Sequence, residues 1–288
     1  MSQTTSNLKK LIDNHSKSIE IEGHQLNVID VGEGIPILVQ HGFPNSAVDW
    51  HNQIKALVDN GYRAIAPDLL GLGESDKPDD LELYTAAKDT ERTIAILDAL
   101  EIDRLHIVCH DRGSAPGWAI AAYHPERVLS LTSLTVGHIK AWADMGIDAR
   151  EQAWYMLFFQ FKAAETQLAA DDFKLFRDWM RHHPSVDDWV AKLSRPGALK
   201  AGISWYRANM NPDKGGFEAL PNIKVPTQIL WSPDDFYATA EQALSSWQYC
   251  QDDFRCVRVN GATHFMMLDR PDFVNQAILE WIQKHSHK

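Results

Sequence analysis

The stretch with the most chemical content is Leu105–Gly117, "LHIVCHDRGSAPG", which reads as an apolar strand, a tight turn and a helix. Asp111 stands at the turn, with the small residues Cys109 and Gly113 two positions to either side. Such a corner strains the backbone, needs small neighbours and projects its central side chain above the edge of a sheet. The N–H groups that follow lie near a helix N-terminus and favour an anion. We therefore predict that Asp111 is a nucleophile, although the local sequence fits a helix N-cap about as well.

Ser114 is the competing nucleophile in this stretch. A serine at the corner would need a small residue two positions earlier, and the bulky Arg112 stands there. We expect Ser114 to lie in the first turn of the helix, which leaves Asp111 as the candidate.

A second motif, "HGFP" at 41–44, directly follows the apolar run "PILVQ". A His-Gly pair followed by proline at a strand end predicts a kinked loop whose backbone faces the Asp111 turn. The N–H of Phe43 would then join the N–H of Arg112 as a pair of donors to an anion, as in an oxyanion hole. We include His41, which begins the loop, among the predicted oxyanion-hole or substrate-binding residues.

Two further polar motifs follow strand ends late in the chain. Asp234 and Asp235 lie in "ILWSPDDFYA", a place suited to orienting a histidine, and His264 lies in the loop "NGATHFMMLDRPDFV". A single loop histidine is usually a surface residue. Here, however, the order nucleophile, acid, histidine is the order of the α/β-hydrolase triad. We therefore predict that Asp111, one of the two acids and His264 meet in space.

The elements that must position these residues are strands alternating with helices. Residues 18–31 alternate loosely around a Gly-His turn and predict an opening antiparallel hairpin. Nearly all-apolar runs follow at 36–40, 62–67, 104–109, 128–136, 225–231 and 254–259. Such runs, separated by segments with helical spacing, are typical of a parallel sheet covered on both faces.

Residues 137–222 interrupt this alternation. They are rich in aromatic and charged residues, show helical periodicity and contain no clear strand. An insertion at this point predicts a helical lid over the carboxyl ends of the strands, where open α/β sheets bind ligands. We predict a core domain of residues 1–136 and 223–288 and a cap of residues 137–222.

The composition of the 288 residues, 44% hydrophobic and 23% charged, is that of a globular protein. A net charge of −11 without a basic stripe argues against nucleic-acid binding. Three cysteines without metal-ligand spacing argue against a disulfide framework. No apolar run approaches membrane-spanning length, and the first residues lack the apolar core of a signal peptide. We expect a soluble, cytoplasmic monomer or homodimer with no nucleic-acid or membrane partner.

Over essentially its whole length the chain resembles the α/β-hydrolase superfamily, through "HGFP", "PDLLGLGESDKP", "HDRGS", "WSPDDF" and "GATHFMMLDRPDFV". The resemblance implies an α/β-hydrolase fold: a mostly parallel central sheet flanked by helices, with an inserted α-helical lid. An aspartate at the turn narrows it to the branch of epoxide hydrolases, haloalkane dehalogenases and fluoroacetate dehalogenases. In that branch the carboxylate attacks a saturated carbon, and the histidine activates water to cleave the resulting ester. The family pattern favours Asp235 over Asp234 as the acid and implies no cofactor or metal.

Two lid tyrosines protonate the leaving alkoxide in epoxide hydrolases. Here "AWYMLFFQF" at 153–161 resembles their first-tyrosine helix, which gives Tyr155 this role and makes Trp154 a predicted substrate-binding residue. "ISWYRANM" at 203–210 resembles the second-tyrosine motif and gives Tyr206 the same role. A phenol with the ordinary pKa near 10 can donate its proton at neutral pH. The alternative for both tyrosines is aromatic helix packing.

The dehalogenase alternatives fit less well. Haloalkane dehalogenases have Asn and Trp where this chain has Phe43 and Arg112. Fluoroacetate dehalogenases share the arginine, but they have a second arginine where Ala115 stands and an acid near 134–136, where this chain has "LTV". Arg112 either selects a polar or anionic epoxide or forms a salt bridge with a lid carboxylate.

The resemblance therefore implies a hydrolase that opens a largely apolar epoxide to a vicinal diol through an ester on Asp111. One alternative is a dehalogenase that uses the same aspartate on a halogenated compound. The other is a non-catalytic ligand-binding protein with the same fold.

Overall fold

An eight-stranded sheet forms the centre of the protein, with the strand order β1-β2-β4-β3-β5-β6-β7-β8. The computed structural model describes residues 12, 14–210 and 220–286. The strands are β1 Ser16–Ile21, β2 His24–Val31, β3 Pro36–Gln40, β4 Arg63–Pro67, β5 Leu105–His110, β6 Val128–Leu134, β7 Thr227–Trp231 and β8 Phe254–Arg258.

Most neighbouring strands run parallel. The pairs β1–β2 and β2–β4 are antiparallel, and every pair from β4 across to β8 is parallel. All residues of β5 and β6 are buried, as expected for strands covered on both faces. The predictions of a mostly parallel sheet and of an opening antiparallel hairpin are confirmed.

Helices flank the sheet and follow its strands. Thr85 caps the second helix, since its hydroxyl accepts the N–H of Lys88 at 3.2 Å. Pro271 begins the last helix at the position where a missing N–H costs nothing. The helices are α1 His51–Asp59, α2 Ala86–Ala99, α3 Ser114–Tyr123, α4 Ile139–Asp144, α5 Ile147–Gln152, α6 Trp154–Phe158, α7 Ala164–Trp179, α8 Val186–Leu193, α9 Ala198–Asn209, α10 Ala240–Ser245, α11 Met266–Asp269 and α12 Pro271–His285.

Helices α4–α9, the inserted helices, lie between β6 and β7. Helix α7 is broken at Ala170–Phe173, where the backbone leaves helical angles. Polar contacts join this insertion to the rest of the protein. Lys192 Nζ on α8 lies 3.0 Å from Asp49 Oδ2, and His183 Nε2, between α7 and α8, lies 3.0 Å from Asp269 Oδ1. The predicted cap, 137–222, includes residues 211–219, which lie outside the described residues, so its bounds stay a prediction.

The predicted site residues follow the carboxyl ends of parallel strands. Residues 41–44 follow β3, Asp111 follows β5, Asp235 comes after β7, and His264 comes after β8. Parallel strands present their carboxyl ends at one edge of a sheet, so these loops converge there.

The corner between β5 and α3 has the strained backbone that its sequence predicts. Asp111 has a φ of 50°, in the left-handed region, and a short 3₁₀ turn, Asp111–Gly113, leads into α3. A Cβ atom at Gly113 would lie 2.3 Å from the backbone oxygen of His41, so only glycine fits there. Ser114 is the first residue of α3, as expected, and its hydroxyl lies 3.2 Å from Ser133 Oγ.

Cys109 and Gly117 pack against each other beneath this corner, and their contact supports a first prediction. A Cβ atom at Gly117 would lie 2.7 Å from Cys109 Sγ. Because Gly117→Ala overpacks a buried contact, we expect it to lower the free energy of unfolding by about 1–3 kcal/mol. In a Cys109→Ala background the same change should cost less, because the sulfur is gone. Urea denaturation of the four proteins measures both costs, and equal costs in the two backgrounds would contradict this packing account.

Candidate active site

Backbone N–H groups surround the carboxylate of Asp111. The N–H of Phe43 donates to Asp111 Oδ1 at 2.7 Å, and the N–H of Arg112 also interacts with this carboxylate. The loop of Phe43 comes this close because Gly42 has no side chain: a Cβ atom there would lie 2.4 Å from Asp111 Oδ1. The two predicted oxyanion-hole donors therefore both meet the predicted nucleophile.

The environment of Asp111 favours its ionised form. Burial alone would raise the pKa of the carboxyl. The hydrogen bond and charge of His264, together with the Arg112 N–H, outweigh burial and lower the pKa to about 2. Asp111 is therefore a carboxylate at neutral pH.

His264 lies between two carboxylates. Its Nδ1 is 2.8 Å from Asp235 Oδ2, and its Nε2 is 3.4 Å from Asp111 Oδ2. The other oxygen of Asp235 accepts the N–H groups of Tyr237 at 2.8 Å and of Ala238 at 3.0 Å, which orients the carboxylate. Asp234 is exposed to solvent. The structure thus brings Asp111, His264 and Asp235 together.

The charge state of His264 follows from these contacts. Burial alone would lower the pKa of its imidazole, but the carboxylates of Asp235 and Asp111 raise it to about 10. At neutral pH the resting site therefore contains an imidazolium between two carboxylates.

A second histidine, His110, supports the loop of His264 and was not predicted as a site residue. Its Nε2–H donates to the backbone oxygen of His264 at 2.9 Å, and the two rings lie 4.6 Å apart. Burial lowers the pKa of His110 to about 3, so its ring is neutral. The only signal in the sequence was its position beside Asp111.

The two predicted tyrosines approach Asp111 from the inserted helices. Tyr155 on α6 and Tyr206 on α9 are both buried, with ring centroids 5.7 Å apart. The hydroxyl of Tyr206 interacts directly with Asp111, and burial together with the charge of Asp111 raises the pKa of both phenols well above 10. Both hydroxyl groups therefore keep their protons at neutral pH.

Two side chains link the helices α6 and α9, which carry the two tyrosines. Gln160 Nε2 donates to the backbone oxygen of Tyr206 at 3.0 Å and to that of Met156 at 3.1 Å. Arg207 Nε donates to the backbone oxygen of Phe159 at 2.7 Å. The backbones that carry the tyrosines are thus fastened to each other.

The side chain of Arg112 points away from the reacting groups and forms a buried ion pair. Its Nη2 lies 2.9 Å from Asp89 Oδ2, and Asp89 also binds Arg92 at 3.0 Å. The guanidinium carbon lies 6.0 Å from the ring of Tyr84 and 5.9 Å from that of Trp205. Because Asp89 belongs to α2, the expectation of a lid carboxylate is wrong. The helix that carries Asp89 lies between β4 and β5. The strand–helix pattern of the sequence did not identify Asp89 as the partner.

Two predicted substrate-binding residues, His41 and Trp154, do not line the cavity that opens above Asp111. His41 Nδ1–H donates to the backbone oxygen of Gly42 at 2.9 Å, and its Nε2 accepts the N–H of Leu69 at 3.0 Å. Burial lowers the pKa of His41, so it is a neutral residue that shapes the loop of Phe43. Trp154 is 47% exposed, because it lies on the face of α6 away from Tyr155.

A cavity of about 540 Å³ opens above Asp111. Tyr155, Tyr206 and His264 line it, together with Tyr237, which sequence reasoning missed although it lies two positions after Asp235. Among the described residues, no group of three or more His, Cys, Asp or Glu side chains could hold a metal ion. In the same part of the chain, no helix is long and apolar enough to cross a membrane.

Comparison with known proteins agrees with this fold. A family model described as alpha/beta hydrolase fold matches residues 35–271. The AB hydrolase superfamily protein YfhM of Bacillus subtilis (strain 168) is 28% identical over 280 residues, which cover 92% of this chain and 96% of that protein. Epoxide hydrolase A of Mycobacterium tuberculosis is 27% identical over 308 residues, with 92% and 96% covered. The crystal structure of Bacillus megaterium epoxide hydrolase in complex with an inhibitor superposes with a TM-score of 0.83 at 23% identity, covering 93% of this chain and all of that one.

The raised pKa of His264 predicts how stability depends on pH. A group whose pKa is higher in the folded state stabilises the fold below its unfolded value, about 6.5 for histidine. That stabilisation is lost as the pH rises through the folded value of about 10. We therefore expect the stability difference between the wild type and His264→Gln to be largest near pH 6 and to shrink steadily towards pH 10. Urea denaturation across this range measures it, and a difference that grows with pH would contradict the assigned charge state.

Proposed function

The chain belongs to the α/β-hydrolase fold family, and we propose that it is an epoxide hydrolase that forms a covalent ester on Asp111. The observation that carries the proposal is the pair of buried, protonated tyrosines opposite the ionised carboxylate. An epoxide leaves its ring oxygen as an alkoxide, which needs a proton, and these phenols supply one. A relative named Epoxide hydrolase A, matched over 92% of this chain, supports the same activity.

In the first step, Asp111 Oδ2 attacks a ring carbon of the epoxide. The new bond to carbon forms while the ring C–O bond breaks, and its electron pair goes to the ring oxygen. That oxygen takes the proton of Tyr155 or Tyr206, which leaves a hydroxy ester and a phenolate. Burial raises the pKa of both phenols whatever the charge of Asp111, so the phenolate takes up a proton again, and in this proposal the His264 imidazolium supplies it.

The same transfer prepares His264 for the second step. Esterification removes the charge of Asp111, one of the two carboxylates that raise the pKa of His264. The neutral imidazole then accepts a proton from water as the water oxygen adds to the ester carbonyl carbon. Negative charge develops on Oδ1, which already accepts the Phe43 N–H at 2.7 Å. The intermediate expels the diol oxygen, which takes the proton of the added hydroxyl, and the Asp111 carboxylate and imidazolium are restored.

The buried partner of Arg112 argues against a haloacid as substrate. Carboxylate substrates need a free cationic group, and this guanidinium has no exposed surface and is paired with Asp89 at 2.9 Å. The helices α4–α9 would act as the lid that supplies the tyrosines and excludes water from the alkylation step.

A panel of three substrates tests the proposal. The purified protein is incubated with styrene oxide, a haloalkane and a haloacid, and diol and halide are measured. We expect diol from the epoxide, and loss of about 10⁴-fold or more in rate for Asp111→Asn, because the amide is not a nucleophile. Tyr206→Phe should reduce diol formation by about 10²-fold, since one proton donor is lost.

Tyr84→Phe is the matched control for the tyrosine. Tyr84 is buried too, but its hydroxyl donates to the backbone oxygen of Pro78 at 2.7 Å, away from Asp111. The rate of diol formation by Tyr84→Phe should stay within a few-fold of the wild-type rate. Halide release without diol would replace the proposal with a dehalogenase. Thermal stabilisation by the epoxide without any product would favour a binding protein.

A further inference from the structure

The space around Asp111 is unequally divided. Most of it lies in the cavity of about 540 Å³, which continues over α2 and α3 past Ile94, Ala115 and Trp118. Glu91 and Tyr123, also in its lining, are exposed and mark the end that opens to solvent. A substituent attached to a reacting carbon therefore has room to extend in this direction, along a mostly apolar path.

The same reacting groups also line a second space, of only about 10 Å³. Four side chains distinguish its lining from that of the large cavity, namely Phe43, Trp179, Met180 and Phe265. A volume of this size holds about one water molecule. A methyl group together with the rest of a substrate would not fit without moving these side chains.

Tight packing keeps this second space closed. All four side chains are buried, and the rings of Phe43 and Trp179 stack at 6.3 Å with an interplanar angle of 27°. Trp179 also contacts the ring of Tyr155 at 5.0 Å, and its backbone oxygen accepts the hydroxyl of Tyr237. These four side chains, the closed wall, come from the inserted segment and from the loops around Asp111. Because they are closely packed, they have little freedom to move aside.

We infer that the site prefers terminal epoxides, in which a single ring carbon carries the apolar or aromatic substituent, over epoxides substituted on both ring carbons. The inference rests on the proposed function. Substituents on the two ring carbons diverge from each other, so one entering the large cavity directs the other at the closed wall. One methyl group that meets a filled pocket changes kcat/KM by about 10- to 200-fold.

Met180 is the side chain of the wall best suited to a test. Phe43 supplies an oxyanion-hole N–H and Trp179 packs on Tyr155, whereas Met180 contributes only bulk. Met156 is the matched control, because it lines the large cavity and not the small space. Changing either residue to alanine removes the same atoms, but from the lining of two different spaces.

The experiment compares styrene oxide with trans-β-methylstyrene oxide, which differ by one methyl group on the second ring carbon. For the wild type we expect kcat/KM to be at least about 10-fold higher for styrene oxide. Met180→Ala should narrow this ratio by about 10-fold through faster turnover of the methylated substrate, whereas Met156→Ala should leave the ratio within about threefold of the wild type.

The possible failures are distinguishable. Equal turnover of both epoxides by the wild type would overturn the inference and leave the proposed function intact. If Met156→Ala narrows the ratio of the two kcat/KM values as much as Met180→Ala does, the assignment of the closed wall is overturned. No diol from styrene oxide would remove the proposed function, and the inference with it. The wild-type comparison decides the inference even if Met180→Ala does not fold.

Discussion

A carboxylate buried at a protein corner has lost most of its water and must be stabilised by other groups. At Asp111 the Phe43 N–H at 2.7 Å and the imidazolium of His264 at 3.4 Å provide that stabilisation. The left-handed backbone at Asp111 points the carboxylate towards these groups. Much of the surrounding structure serves this one anion: Gly42 and Gly113 permit the close approach of the loops.

The negative charge of Asp111 also acts on two tyrosines of the inserted helices. The phenols of Tyr155 and Tyr206 lie against an anion in a buried site, which raises their pKa and keeps them protonated. Gln160 and Arg207 link the backbones that carry the two tyrosines, which holds the phenols in place relative to each other. Under the proposed function, the closed wall at Trp179 and the large cavity together would select substrates by their shape.

Much of this arrangement could be predicted from sequence, because it depends on local rules. The small residues around Asp111 required a strained corner, and apolar runs alternating with helices required parallel strands whose loops meet at one edge. The places of Asp234, Asp235 and His264 after strands made them candidates, and the family pattern favoured Asp235 over Asp234. The fold expected from these patterns agrees with the structure in its opening antiparallel hairpin and in the parallel pairing of the strands from β4 to β8.

What could not be predicted depends on which side chains meet across the molecule. The partner of Arg112 is Asp89, on a helix whose charged positions all read alike as surface residues. Trp154 and Tyr155 are neighbours in an aromatic segment, and only the rotation of a five-residue helix turns one to solvent and the other to Asp111. The closed wall combines Phe43, Trp179 and Phe265 from three distant segments, and no periodicity connects them.

The ester on Asp111 is the central claim, and trapping it tests the account most directly. His264→Gln lacks the base that activates water, so the ester should accumulate when this variant is incubated with styrene oxide. Intact-mass measurement should show one added epoxide mass, and peptide mapping should locate it on Asp111. An adduct formed only with a halogenated compound, or one located on another residue, would contradict the account.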